Sequence, residues 1–242
     1  MGSPEDGSLV AASAESIYAD GHEIWPLHDR WHRHSRDCID TFVRKHATQI
    51  LASSQSVLDV GCGNGTYDWM PPHSINCDKF FNQIRDKPRA VVADLEKLPF
   101  ATGTFDIALC LGSVTNYVSA HEALVELARV IAPGGHLVFD FESSSSFEHV
   151  GRSFWNQQAH LNRTHNTDRS DLIWVYAPGY IERLLALTGF RVSRVQSFHV
   201  LSSLLARLGV PPTQAASGAR YDRYLPWLRM FADNLIVLAE RI

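Results

Sequence analysis

A nine-residue run, Val57 to Gly65 (VLDVGCGNG), constrains this chain more than any other part of it. Val57, Leu58 and Val60 are the β-branched and apolar residues of a buried strand. The strand runs into Gly61, Gly63 and Gly65, spaced every second residue. Glycine in such a turn permits positive φ and lets a ligand approach the bare backbone. Asp59 stands just before the loop, where a carboxylate can reach a positively charged ligand group. A dinucleotide fingerprint needs G-x-G-x-x-G, with a helix N-terminus facing a pyrophosphate. Here the third glycine falls one position early, and Thr66 and Asp68 stand where other registers need glycine. An acid beside the loop repels a pyrophosphate but suits an ammonium.

The rest of the chain alternates strand and helix patterns. Cys38 to Leu51 places Ile39, Phe42, Val43, Ala47, Ile50 and Leu51 on one helical stripe. Strands are predicted at Ser56 to Val60, Ser74 to Cys77, Ala90 to Ala93, Phe105 to Leu111 and Gly135 to Phe141. The helix His121 to Ile131 precedes the last of these and closes at Pro133-Gly134-Gly135. A helix at Pro178 to Leu187, a strand at Phe190 to Val200 and a short helix at Leu201 to Leu208 follow. Then come a loop (PPTQAASGAR) and a final strand, Asn234 to Glu240. This alternation implies an α/β fold with a parallel sheet and helices on both faces. Between Asp59 and Asp78 there is room only for a short helix, which Pro71-Pro72 would stop. Residues 142–171 break the rhythm, being rich in Ser, His, Asn and Arg. So long a polar segment inside a compact domain reads as a lid-like insertion or a disordered stretch. Residues 1–20 read as a flexible lead-in, and 21–242 as a single domain carrying the insertion.

The glycine run resembles motif I of the class I S-adenosylmethionine-dependent methyltransferases, whose loop holds the methionine part of the cofactor. ADLEKLPFATGTFDIALC, ALVELARVIAPGGHLVFDF, LLALTGFRVSRV and DNLIVLAER resemble later segments of that family, in the family's order. The resemblance implies a Rossmann-like, seven-stranded, mostly parallel sheet with an antiparallel last strand. It implies S-adenosylmethionine as cofactor, held by Asp59, Gly61, Cys62, Gly63, Gly65, Asp78, Lys79, Asp94, Leu95 and Leu111. Asp78 would take the ribose hydroxyls and Asp94 the adenine amino group. Lys79 follows the ribose acid where the family often has an apolar residue, so Phe80 or Leu95 is left to cover the ring.

The acceptor side is less constrained. Methyl transfer from a sulfonium needs position and exclusion of water more than a fixed catalytic residue. Tyr117 and His149 are the candidate bases. Tyr18, His22 and Trp25 resemble a family segment that folds over the cofactor, and Asn116, Phe154 and Trp155 are candidate acceptor contacts. Asn116-Tyr117 is not followed by Pro-Pro-Tyr, so the mark of amide and exocyclic-amine methyltransferases is absent. His28 and His32 share a helical face, but Cys or Glu ligands are missing nearby and Arg residues alternate with them, so no metal is expected.

Composition narrows the partners. The net charge of −4 and pI near 6.3 leave no overall electrostatic footprint for nucleic acid. Cys38, Cys62, Cys77 and Cys110 form no C-x-x-C pair, which suits reduced thiols in a cytoplasmic protein. No run approaches the ~18 apolar residues of a membrane span, and the N-terminus lacks the pattern of a signal peptide. The expected function is methylation of a small molecule, in secondary metabolism or cell-envelope biosynthesis. An RNA or protein acceptor, met by Arg152, Arg163 and Arg169, and a non-catalytic cofactor-binding regulator stay open as alternatives. The sequence is silent on oligomeric state.

Overall fold

The computed structural model describes residues 4–19, 29–166 and 169–242. Nine strands occur in it: β1 (Val57–Val60), β2 (Ile75–Asp78), β3 (Ala90–Val92), β4 (Phe105–Cys110), β5 (Ile131–Glu142), β6 (Ala159–Asn166), β7 (Arg169–Tyr176), β8 (Phe190–Phe198) and β9 (Asn234–Arg241). Seven form one sheet in the order β3-β2-β1-β4-β5-β9-β8, and β6 and β7 form a separate hairpin. Within the large sheet β9 alone runs antiparallel to its neighbours, β5 on one side and β8 on the other. This is the mostly parallel α/β sheet that the alternating pattern predicts.

The core follows from strand alternation. Along β5, Leu137, Phe139 and Phe141 face α5 (Ala120–Val130) and α6 (Pro178–Leu187), whose Leu124, Leu127, Ile181 and Leu184 are buried with them. Val138 faces the other way, with Ile236 and Leu238 of β9, onto Ile39, Phe42 and Val43 of α2 (Arg30–His46). The polar residues Asp140 and Glu142 continue that second face to the carboxyl end of the strand. There Glu142, Asn234 and Phe198 stand abreast on β5, β9 and β8.

Several expectations are corrected. The lead-in contains a helix, α1 (Pro4–Tyr18), whose Val10, Ala14 and Ile17 are buried. Their spacing of four and three makes one apolar stripe, which the Ser, Ala and Gly around it mask in sequence. The helix predicted at Cys38 starts at Arg30, because the Asp29 carboxylate caps it by accepting from the Trp31 and His32 N–H groups at 2.8 and 3.2 Å. It gives way after His46 to a short α3 (Thr48–Ser53). No helix forms between β1 and β2. The next is α4 (Phe81–Ile84), four residues long. The polar segment after β5 holds a 3₁₀ turn, Phe147–His149, and most of the β6–β7 hairpin. The expected loop after α7 (Val200–Arg207) contains α8 (Pro212–Ala215), and two 3₁₀ helices follow, Ala216–Tyr224 and Pro226–Phe231. His22, Trp25 and His28 lie outside the described residues. Among the described residues no helix is long and apolar enough to cross a membrane.

Candidate cofactor site

The site lies at the carboxyl ends of β1, β2 and β4, where open α/β sheets bind ligands. Gly61 (φ +67°) reverses the chain after β1, and its N–H and that of Cys62 donate to the Cys77 carbonyl at 2.8 and 3.2 Å. The loop is thereby fastened to β2. Asp78, at the end of β2, completes the fastening: its carboxylate accepts from Gly63 N–H and Phe80 N–H, each at 2.9 Å. From outside, Lys87 Nζ donates to the carbonyls of Cys62 and Gly65 at 3.1 and 2.6 Å. With no helix after the loop, these side chains hold its shape.

Above this loop is a pocket whose floor includes Gly61, Leu111 and Val114, and whose far wall includes Phe80 and Leu95. Of the ten candidate cofactor residues, Asp59, Gly61, Cys62, Gly65, Asp78, Lys79, Asp94, Leu95 and Leu111 line it. Gly63 does not line it and acts through its bond to Asp78. Gly61 has a second constraint besides φ: a Cβ there would stand 2.4 Å from Val114 Cγ1. Asp94 bonds Lys79 Nζ at 2.7 Å and the Glu96 N–H at 3.1 Å.

Asp59 is the chemically pointed member. It is buried, lines the pocket, and has no hydrogen-bond partner among the described residues. Burial pushes its pKa up to about 6 against the pull of Lys87, with the charge of Asp78 adding to the rise. Burial also raises Asp78, against its two N–H donors. A buried carboxylate without a donor costs free energy until a cation meets it. The Tyr67 hydroxyl, which also lines the pocket, is buried and without a partner too.

Helix α1 forms the roof through Ala11, Ala14 and Tyr18. The Tyr18 and Tyr117 hydroxyls meet at 3.0 Å, and Tyr117 donates onward to Asp171 at 3.3 Å. Gln83 Nε2 donates to the Tyr18 carbonyl at 2.9 Å, and the Leu172 N–H to Ser13 Oγ at 3.0 Å. The roof is thus tied to α4 and to β7.

The acceptor-side candidates separate. Tyr117 lines the pocket, but burial and the neighbouring Tyr18 and Asp171 hold its phenol well above the usual range, so it enters as a hydrogen-bond donor. His149 is buried away from the pocket lining, against Phe154, with Nδ1 unpartnered and its pKa pushed down to about 4 by burial. Asn116 is fully buried: its Nδ2 donates to the Trp174 carbonyl and its Oδ1 accepts from Glu142 N–H, so it braces β5 to β7. Phe154 packs on Ile173 and Val175 and stacks on His160 at 4.0 Å, which makes it part of the hairpin's own core. Trp155 is partly exposed, with Nε1 donating to the Ser145 carbonyl at 3.2 Å. Neither aromatic roofs the pocket.

Two further features escaped the sequence reading. Asp140 accepts from the N–H groups of Gly112 and Ser113 at 2.7 and 3.0 Å, shaping the turn after β4, and burial pushes it up to about 6. An acid inside the apolar run LVFDFE was the available signal. Beyond it, Glu142, Glu148 and Asp233 crowd together. Burial raises all three; the charges of Asp233 and Glu148 add to the rise of Glu142, that of Glu148 adds to the rise of Asp233, which reaches about 7, and Arg152 opposes the rise of Glu148.

Comparison with known proteins agrees with this geometry. A methyltransferase domain family matches residues 58–139. The sterol 4-C-methyltransferase of Caenorhabditis elegans is 29% identical over 135 residues, covering 48% of this chain and 40% of that protein. A tRNA (carboxymethyluridine(34)-5-O)-methyltransferase of Mus musculus is 34% identical over 96 residues, 36% of this chain and 14% of that protein. The chain therefore spans less than half the length of these two relatives. Among solved structures, the geranyl diphosphate C-methyltransferase of Streptomyces coelicolor, crystallised with S-adenosyl-L-homocysteine, superposes with a TM-score of 0.60 at 13% identity, covering 100% of both chains.

Proposed function

We propose that this chain, which matches a methyltransferase domain family over residues 58–139, is a class I S-adenosylmethionine-dependent methyltransferase that transfers the methyl group of S-adenosylmethionine to a small-molecule acceptor. The observation that carries this reading is Asp59, a buried carboxylate beside the glycine turn with no hydrogen-bond partner among the described residues. An α-ammonium group satisfies it, and the same charge returns its pKa toward the ordinary carboxylate range. Asp78 retains acceptor capacity for ribose hydroxyls beyond its two backbone donors. Phe80 and Leu95 offer apolar cover for a ring. Bound there, S-adenosylmethionine supplies a methyl group already activated on a sulfonium. The protein then has to hold, orient and exclude water. Helix α1 and the Tyr18–Tyr117–Asp171 chain serve the last purpose.

A small molecule is favoured over a nucleic acid by charge. Among the described residues, the one cation on the pocket lining is Lys79, which is paired with Asp94. The chain's net charge of −4 opposes a polyphosphate backbone as well. Arg152 and Arg163 are exposed, away from the lining. The test is transfer of labelled methyl from S-adenosylmethionine into separated metabolite, RNA and protein fractions of a cell extract. Label should enter the metabolite fraction and be lost with Asp59→Asn, which removes the ammonium's counter-charge. Label in RNA or protein would refute the small-molecule reading. Cofactor affinity unaltered by Asp59→Asn would refute the role of Asp59.

A further inference from the structure

We propose that the two 3₁₀ helices before β9 form a docking edge for an anionic lipid surface. The argument starts from a repeat of three. In a 3₁₀ helix residues i and i+3 eclipse, so a three-residue pattern gives three separate edges. Residues 219–231 carry such a pattern across both helices. Ala219, Asp222, Leu225, Leu228 and Phe231 are buried or half-buried and make the inner edge. It rests on the body of the protein: Phe231 stacks on Phe147 at 4.4 Å, and Asp222 accepts from Val200 and Leu201 N–H, each at 2.9 Å.

The second edge is Tyr221, Tyr224, Trp227 and Met230, exposed by 44, 58, 67 and 66%. The third edge holds Arg220, Arg223 and Arg229, all exposed. Arg220 and Arg223 lie over the rings of Tyr221 and Tyr224, each 4.7 Å from the centroid. The segment's only acid, Asp222, is turned inward onto α7, so the outer surface is cationic in a chain of net charge −4. Four large apolar or aromatic side chains in a row, exposed and flanked by guanidinium groups, match a headgroup boundary. The rings and the methionine enter the acyl margin while the arginines meet lipid phosphates. A nucleic acid would use the arginines and the rings but has no place for Met230. The edge leads directly into Asn234, which stands beside Glu142 and Phe198 at the carboxyl end of the sheet. Docking would hold that end of the sheet, on which the cofactor pocket also lies, at the membrane surface.

The experiment is co-sedimentation of the full chain with vesicles of phosphatidylcholine alone and of phosphatidylcholine containing one-third phosphatidylglycerol. The wild type should sediment with the second and not the first. At about fivefold per arginine, the triple variant Arg220→Gln, Arg223→Gln, Arg229→Gln should partition about 100-fold less. Trp227→Ala should cost about tenfold. Unchanged urea midpoints and far-ultraviolet dichroism show that these exposed substitutions leave the fold intact. Failure of the wild type to bind the anionic vesicles overturns the proposal. So does binding that survives the triple variant or is indifferent to Trp227→Ala, and so does retention by a structured RNA without vesicle binding.

Discussion

Gly61→Ala tests the reading of the glycine turn most directly. Gly61 sits at φ +67°, where an L residue costs about 1–2 kcal/mol. The new Cβ would also meet Val114 Cγ1 and Cγ2 at 2.4 and 2.5 Å. Val114 cannot retreat easily, because the next two residues are pinned. Thr115 Oγ1 donates to the Asp140 carbonyl at 2.7 Å, and Asn116 is bonded to both Trp174 and Glu142. Overpacking of this kind costs about 1–3 kcal/mol more. The single variant should therefore lose about 2–5 kcal/mol. Val114→Ala, at a half-buried site, should lose about 1 kcal/mol by itself. In the double variant the two Cγ clashes are gone, leaving the φ strain and a 3.0 Å approach to the Cβ at position 114, so the two losses should fall short of additivity by about 1–3 kcal/mol. Urea unfolding of all four proteins at constant m value measures this. Titration with S-adenosylhomocysteine should show weakened binding for Gly61→Ala, since Gly61 and Val114 both line the pocket. Additivity within about 0.5 kcal/mol would refute the claim that Val114 closes the space at Gly61. A loss below about 1 kcal/mol for the single variant would refute the left-handed turn itself.

Asp78→Ala should weaken S-adenosylhomocysteine by about 1.5–3 kcal/mol in calorimetric titration, and should also lower stability, because it strands the Gly63 and Phe80 N–H groups. Full stability with lost binding would mean that Asp78 does not hold the loop. Tyr18→Phe removes the hydroxyl contact to Tyr117, and stopped-flow release of S-adenosylhomocysteine should speed up by about fivefold, about 1 kcal/mol in the closed state. An unchanged release rate would show that α1 closes the pocket without this bond. Asp233, buried and facing Glu148, has its pKa raised to about 7, so the folded chain holds a proton that the unfolded chain releases. Its contribution is present below the ordinary carboxylate range and is lost as pH rises toward 7. Melting temperatures from pH 5 to 8 should therefore show Asp233→Asn gaining on the wild type with rising pH, and a gain in the opposite direction would contradict the assignment.

The part of the fold legible in the sequence is the part written in short-range pattern. A buried strand followed by glycines, acids at strand ends and a 3.6-residue apolar period are local signals, and they located every strand of the large sheet and the acids Asp59, Asp78 and Asp94. The β6–β7 hairpin was missed because β6 lies in a segment whose polar composition reads as loop, and the apolar run Leu172 to Tyr176 of β7, buried on both faces from Ile173 onward, shows no alternation to mark it as a hairpin strand. Helix α1 was missed because three buried residues, Val10, Ala14 and Ile17, are its whole stripe, and the surface they cover is made by distant parts of the chain.

What only the tertiary structure decided is the company each side chain keeps. Tyr18, Tyr117 and Asp171 become one hydrogen-bonded chain across three elements. Glu142, Glu148 and Asp233 become neighbours because β9 returns antiparallel beside β5. The same folding turned Asn116 and Phe154, plausible acceptor contacts by position, into a brace and a core residue. The physical reason is that burial and electrostatic coupling depend on distances in space. Residue spacing along the chain determines which face a side chain takes within one element, while loop closure and sheet order determine what that face meets.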